Sequence, residues 1–222
     1  MLSFKSYFTE GVNDPAIFKA VFLAGGPGSG KSFIVGQTAL QALGMKLINS
    51  DPFFEAALEK AGLKTTPDDL FSKKGQEARG RAKVLTKKLM NLALNGRLGL
   101  IVDGTGKDAD KLKKQSTQLK KLGYETAMIF VNTDLETALD RNRKRARQLP
   151  DEVVKKMWGD VQKNIGAFQT IFGEKMFIID NSSGADYKAQ VQTVYKKIST
   201  WSKKPPYMPQ AKAWMLGQQP KK

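Results

Sequence analysis

Residues 24–33 read AGGPGSGKSF, and the fold is decided there. Gly25, four residues on to Gly30, then Lys31 and Ser32 fit the phosphate-binding pattern G-x-x-x-x-G-K-[ST]. Glycine lets the backbone turn through positive φ and come close to a ligand. Successive N–H groups of Gly25, Gly26, Pro27 (which supplies no N–H), Gly28, Ser29 and Gly30 then outline an anion nest. Lys31 can reach the β- and γ-phosphates of a nucleoside triphosphate, and the Ser32 hydroxyl can ligate Mg²⁺. The context agrees. Ala20–Ala24, AVFLA, is a short apolar run suited to a buried parallel strand. Ser32–Leu43 reads as a helix whose positive end faces the phosphates.

Outward from the loop, strand candidates recur at Lys46–Asn49, Leu98–Val102, Thr126–Val131 and Met176–Ile179. Helical stretches fall between them, at Pro52–Ala61, Gly75–Leu94, Asp108–Leu122, Leu135–Arg147, Asp151–Phe172 and Asp186–Trp201. Alternating strands and helices predict an α/β fold. The expected architecture is a P-loop NTPase three-layer αβα sandwich, with a mainly parallel five-stranded sheet and a helical lid. Residues 1–17 read as an amphipathic leader closed by the turn signal Asn13-Asp14-Pro15. Residues 18–202 read as the catalytic domain with the lid at about 141–150. Residues 203–222 read as a basic Pro-rich tail that can dock through Trp214 and Met215.

Composition narrows the chemistry. The chain has 222 residues, no cysteine and no histidine. Thiolate chemistry is excluded, a zinc site is disfavoured, and a general base must be Asp, Glu, Lys or Tyr. No apolar run approaches the ~18 residues of a membrane span, and a cytoplasmic setting is the default expectation. The net charge is +16, which favours anionic partners such as nucleic acid. Lys188–Lys222 holds eight lysines and no acid, and Lys64–Lys121 holds 15 Lys and Arg against 6 Asp and Glu.

Three further features bear on where a bound phosphate goes. Asn49-Ser50-Asp51 closes the second strand, and Asp51 lies where ligands gather in open α/β sheets. It can accept the proton of an attacking hydroxyl, or cap the helix begun by Pro52. Leu98–Thr105, LGLIVDGT, ends in Asp103, the place of a carboxylate that holds Mg²⁺; the plainer reading is a strand-ending turn. Asp140–Arg147, DRNRKRAR, packs four arginines into eight residues. Arg141 and Arg145 are four apart and would share one helix face, either as a lid over the triphosphate or as a solvated basic face.

The set GGPGSGKS, NSD, VDGTG and RNRKRARQLPDEVVKKMW resembles the phage polynucleotide kinase and zeta-toxin kinase group of P-loop enzymes, over about residues 18–182. The lid carries the strongest likeness, through Arg141, Asn142, Arg145, Pro150, Asp151 and Trp158. The resemblance implies that Lys31 and Ser32 hold ATP and Mg²⁺, that Asp51 activates the acceptor hydroxyl, and that Arg141 and Arg145 clamp the triphosphate. It also has departures. Polynucleotide kinases of this type carry a second Asp and an Arg just after the catalytic Asp, where this chain has Pro52 and Phe54. The DGT sequence is nearer the zeta-toxin pattern, and the phosphatase domain of some phage polynucleotide kinases is missing. The leader LSFKSYFTE faintly resembles targeting peptides of phage internal head proteins, which would place the protein in a virion.

Three functions stay open on these readings. The first is an ATP-dependent kinase acting on a DNA or RNA hydroxyl, with Phe53 and Phe54 either stacking bases or lying in the core. The second is a zeta-toxin-like kinase of a sugar nucleotide or nucleotide. The third is an ATP-binding phage-head component without transfer activity.

Overall fold

The computed structural model describes residues 11–145 and 148–218. The expected leader, Leu2–Glu10, lies outside them, as does Arg147. The chain runs β1 (Lys19–Ala24), α1 (Lys31–Gln37), β2 (Lys46–Ile48), α2 (Asp51–Lys60), α3 (Pro67–Phe71) and α4 (Lys73–Asn95). It continues through β3 (Leu100–Asp103), α5 (Ala109–Lys121), β4 (Glu125–Asn132), α6 (Leu135–Arg143), α7 (Asp151–Lys163) and α8 (Ile165–Phe172). It ends with β5 (Met176–Asp180), α9 (Tyr187–Ser202) and α10 (Pro209–Gly217).

The five strands pair in the order β2-β3-β1-β4-β5, every pair parallel. The glycine loop therefore leaves the central strand. Side chains of β1 alternate between two cores, as a strand's period of two requires. Ala20, Phe22 and Ala24 pack with Leu112 and Leu119 of α5, Val161 of α7, and Phe168 and Phe172 of α8. Val21 and Leu23 pack on the other face with Ile34 of α1 and Val191, Val194 and Ile198 of α9. Those two helical layers around one sheet are the expected sandwich. A third, smaller cluster joins α2, α3 and α4 through Phe54, Leu58, Leu70, Ala78 and Ala82. It forms a helical cap beside the β2 edge.

Strand β1 is buried along its whole length, Lys19 included. The Lys19 ammonium meets Glu125 Oε1 at 2.6 Å, and Trp201 Nε1 donates to Glu125 Oε2 at 3.0 Å. Burial pulls the Lys19 pKa below its ordinary value, opposed by the hydrogen bond to Glu125. A buried charge is tolerated only when it is paired in this way.

Several helices differ from the sequence reading. The helix expected over Ser32–Leu43 stops at Gln37, because Ala39 takes φ +46° and Leu40–Leu43 forms a 3₁₀ turn. Thr38 Oγ1 donates back to the Val35 carbonyl at 2.9 Å, an alternative to continuing the helix. The stretch Asp151–Phe172 is two helices meeting at Asn164, whose side-chain amide donates to the Gly106 carbonyl at 2.9 Å. The helix expected to run to Arg147 ends at Arg143. Pro67–Phe71 forms a short helix not foreseen, with Thr66 accepting from the Asp69 N–H.

The C-terminal segment is ordered on the core. Pro209–Gly217 is helical, Ala211 is fully buried, and Trp214 and Met215 pack against the first core, the two side chains expected to dock it. Trp214 meets Phe18 edge-on at 5.5 Å. A Cβ on Gly123 would lie 2.7 Å from the Ala211 nitrogen, so this helix seats directly on the turn before β4. Phe18 and Gly123 precede β1 and β4. The segment thus covers the N-terminal edge of the sheet, opposite the glycine loop.

Candidate active site

The loop 25–30 bridges the end of β1 and the start of α1. Gly28 and Gly30 take φ +75° and +76°. A Cβ on Gly28 would strike the Ala138 carbonyl oxygen at 2.2 Å, and one on Gly30 the Asn181 amide at 2.4 Å. Only glycine satisfies both the positive φ and the close approach. Asn181, buried after β5, donates from Nδ2 to the Ser29 carbonyl at 2.8 Å and so fixes the loop from its far side.

This loop floors a cavity of about 400 Å³, lined by Gly25 through Phe33, Asp51, Thr105, Arg141, Arg145, Leu149 and Met157. The volume suits a small ligand. All eight expected loop residues line it, together with Asp51, Arg141 and Arg145. Asp103 stands at the end of β3, in register with Leu23 of β1. Its carboxylate pairs with the Lys31 ammonium and accepts from Asn49 Nδ2 at 2.9 Å.

Asp51 is the first residue of α2, and the helix is capped at Ser50 without a side-chain hydrogen bond. The capping alternative therefore has no hydrogen bond to support it. The Asp51 backbone N–H donates to Asn49 Oδ1 at 2.8 Å. Asn49 thus ties two carboxylate-bearing residues together, one through its amide nitrogen and one through its oxygen. Its role depends on β2 lying beside β3; the sequence shows only a polar residue at a strand end.

The arginines reach the cavity by different routes from the one expected. Arg141 sits in the last turn of α6, whereas Arg145 lies beyond the helix end. They share the cavity because the chain folds back, not because they share a helix face. Asn142 makes the fold-back: Nδ2 donates to the Leu149 carbonyl at 2.7 Å and Oδ1 accepts from the Leu149 N–H at 3.1 Å. Trp158 pins α7 by donating to the Thr133 carbonyl at 2.9 Å. Asp134 caps α6 by accepting from the Thr137 N–H at 2.7 Å. Hydrogen bonding to Thr137 holds the Asp134 carboxyl below its ordinary pKa.

Two buried polar atoms on this cavity, Ser29 Oγ and Arg141 Nη1, have no hydrogen-bond partner among the described residues. Arg141 Nη1 lies 3.6 Å from the position a Gly30 Cβ would take. Leaving a donor unpaired is costly, and an anion in the loop would satisfy it. Among the described residues there is no cluster of three or more acidic, His or Cys side chains that could hold a metal alone. Of the two residues expected to hold Mg²⁺, Ser32 lines the cavity, while both carboxylate oxygens of Asp103 are engaged, one by Lys31 and one by Asn49.

Phe54 is not free to stack a base, and Phe53 is only partly exposed. Phe54 is buried in the cap cluster with the Arg79 guanidinium 4.6 Å over its ring, and Phe53 packs against the same cluster. Phe33, in the first turn of α1, is half exposed on the cavity.

A family profile described as an AAA domain, AAA_33, matches residues 21–165. Among solved structures, a kinase candidate from Chloroflexus aurantiacus aligns with a TM-score of 0.55 at 15% identity, over 80% of this chain and 97% of that one. The AvrRxo1-ORF1:ORF2 complex with ATP aligns at 0.61 and 14% identity, over 87% and 67%. The PezAT toxin–antitoxin system of Streptococcus pneumoniae aligns at 0.54 and 18% identity, over 84% and 87%. At these identities the likeness is one of fold. No curated protein sequence matches the chain. No helix among the described residues is long and apolar enough to cross a membrane.

Proposed function

The chain belongs to the AAA_33 family of AAA domains, with a P-loop kinase-like fold, and from that premise we propose that it transfers the γ-phosphate of ATP to a hydroxyl on nucleic acid. One observation carries the reading. Asp51, whose carboxylate has no hydrogen-bond or ion-pair partner among the described residues, lines the same cavity as the glycine loop, Arg141 and Arg145. A nucleotide-binding switch has no need of a free carboxylate beside the phosphates; a transferase does.

In this mechanism the loop N–H groups and Lys31 hold the β- and γ-phosphates. Arg141 and Arg145 approach from the lid and neutralise charge that builds on the transferring phosphoryl group. Asp51 accepts the acceptor's hydroxyl proton as the acceptor oxygen bonds to the γ-phosphorus and the bridging oxygen leaves on ADP. Asn49 keeps Asp103 and the start of α2 in register. Mg²⁺, held through Ser32 and Asp103, would supply further charge neutralisation on the phosphates.

The nucleic acid assignment rests on charge along α4, which packs on α2, the helix that starts at Asp51. In α4, Lys73, Lys74, Arg81, Lys83, Lys87 and Lys88 are all exposed, with Glu77 their one acidic neighbour in the helix. Closely spaced exposed cations suit a phosphate backbone. A small-molecule acceptor is the second reading, as in the zeta-toxin group. It is favoured by the docking of Pro209–Gly217 at the far edge of the sheet, which places Lys212 away from the cavity. The test is transfer of label from γ-³²P ATP with Mg²⁺ to 5′-OH DNA and RNA oligonucleotides, hydroxymethyluracil DNA, UDP-N-acetylglucosamine and nucleoside monophosphates, with Asp51→Asn as blank. Label on an oligonucleotide supports the first reading. Label confined to a small molecule replaces it with the second, and no label on any acceptor leaves the transferase reading without support.

A further inference from the structure

We propose that Phe33, backed by Tyr187, is the platform on which the nucleotide base stacks, and that it selects purine nucleoside triphosphates as a class. The inference rests on the phosphoryl-transfer reading above.

The placement follows from the sheet order. The phosphate loop leaves β1, the central strand. Asp51 follows β2, at one edge, and Tyr187 follows β5, at the other. Strands lie about 4.8 Å apart, so these two markers are separated by roughly 19 Å across four spacings. A nucleoside triphosphate anchored at the centre, with its γ-phosphate towards Asp51, must carry its base towards the β5 side.

Phe33 is what that side offers. It sits in the first turn of α1, two residues after Lys31, and it lines the phosphate cavity. Its neighbour Ile34 is fully buried, yet Phe33 is 52% exposed. Its ring meets Tyr187 at 5.7 Å with the planes 70° apart. In an edge-to-face pair at least one face of the Phe33 ring stays free. Tyr187 is itself packed into the second core, so the pair is anchored. Its loop is held too: Asn181 binds the Ser29 carbonyl, and Ser182 Oγ accepts from the Asp134 N–H at 3.0 Å. Other strongly exposed aromatics, Phe71 and Tyr207, do not line this cavity. An aromatic ring held in place with a free face, beside a phosphate nest, matches a base. Stacking on phenyl grows with ring area and tolerates base identity, so purines are favoured as a group.

The test is equilibrium binding to the full chain with Mg²⁺, using ATP, GTP, UTP and inorganic tripolyphosphate as probes. Wild type should bind ATP and GTP more tightly than UTP, and all three more tightly than tripolyphosphate. Phe33→Ala should weaken ATP and GTP about ten-fold while tripolyphosphate stays within about two-fold, since only the stack is lost. Phe33→Trp should restore purine binding. Unchanged ATP affinity in Phe33→Ala would overturn the platform and leave the transferase reading standing. Equal weakening of ATP and tripolyphosphate would overturn it too, by showing that Phe33 only shapes the loop. Wild type binding neither ATP nor tripolyphosphate would remove the phosphate site and the platform with it.

Discussion

Replacing Arg141 by alanine should move two measurements in different ways. Arg141 Nη1 is buried beside the glycine loop without a partner among the described residues. In the nucleotide-free protein its removal relieves an unpaired donor, worth about 1 kcal/mol at the low end, and forfeits some packing of its stem. The two terms nearly cancel, so the melting temperature should shift by no more than about 2–4 °C. With nucleotide the side chain makes charge-assisted contacts to phosphate, each worth ~1.5–3 kcal/mol. Loss of one is roughly a 10- to 150-fold rise in Kd. At a nucleotide concentration about a hundred times the wild-type Kd, wild type gains about 2.7 kcal/mol of stability. The variant at that concentration should gain only about 0.3–1.4 kcal/mol. Thermal denaturation with and without Mg-ATP reads both quantities in one experiment. A variant that melts many degrees lower without nucleotide, yet keeps the full ATP increment, would show that Arg141 is structural and sink the clamp.

The remaining expectations are simpler. Asp51→Asn should lower the transfer rate by ~10²-fold or more while ATP Kd, from titration, moves only a few-fold; a transfer rate near wild type would place the base elsewhere. Asp134→Ala should cost about 1 kcal/mol through loss of the α6 cap. The Asp134 pKa is depressed in the fold, so its contribution is present above the unfolded carboxyl value of about 3.9. It disappears as pH falls through the lower folded value. Urea denaturation should find a constant gap between wild type and variant from about pH 5 to 8, closing under acid; a gap that widens on acidification would contradict the assignment. Trp214→Ala should cost about 2 kcal/mol, less than the 3–5 of full burial, and lower the melting temperature by roughly 4–8 °C. ATP affinity should not follow, because Trp214 packs at the other end of the sheet.

Sequence reading succeeded where the signal was local. The loop 25–32 needs particular residues at adjacent positions, and its strand and helix flank it directly. All five strands were legible as apolar runs, since parallel strands are buried on both faces. It faltered where a role depends on what another segment brings. Arg145 reaches the cavity because Asn142 pairs with Leu149, and no periodicity encodes that pairing. Lys19 looks misplaced in a central strand until Glu125 and Trp201 arrive from β4 and α9. The exposure of Phe33 was not legible either, because helical spacing alone does not say which side of α1 the second core covers. The Pro-rich segment near the C-terminus reads as a tail that can dock through Trp214 and Met215, but where it docks depends on Ala211 being small enough to seat against Gly123 and let Trp214 reach Phe18.

The distribution of charge then changes meaning once the sheet is oriented. Read along the chain, the basic C-terminal lysines and the basic α4 form one argument for an anionic polymer. In the fold Lys212 and α4 separate. The helix bearing Lys212 lies at the N-terminal edge of the strands, with the phosphate cavity at the other edge. Helix α4 is different. It packs on α2, which starts at Asp51, and its 23 residues extend about 34 Å at 1.5 Å per residue. It is therefore long enough to carry cations from the cap down to β3. Under the transferase reading, the cap formed by α2, α3 and α4 is the element that adjoins Asp51, the first residue of α2. Lys212 can add affinity for a long polymer only if that polymer wraps from one end of the sheet to the other.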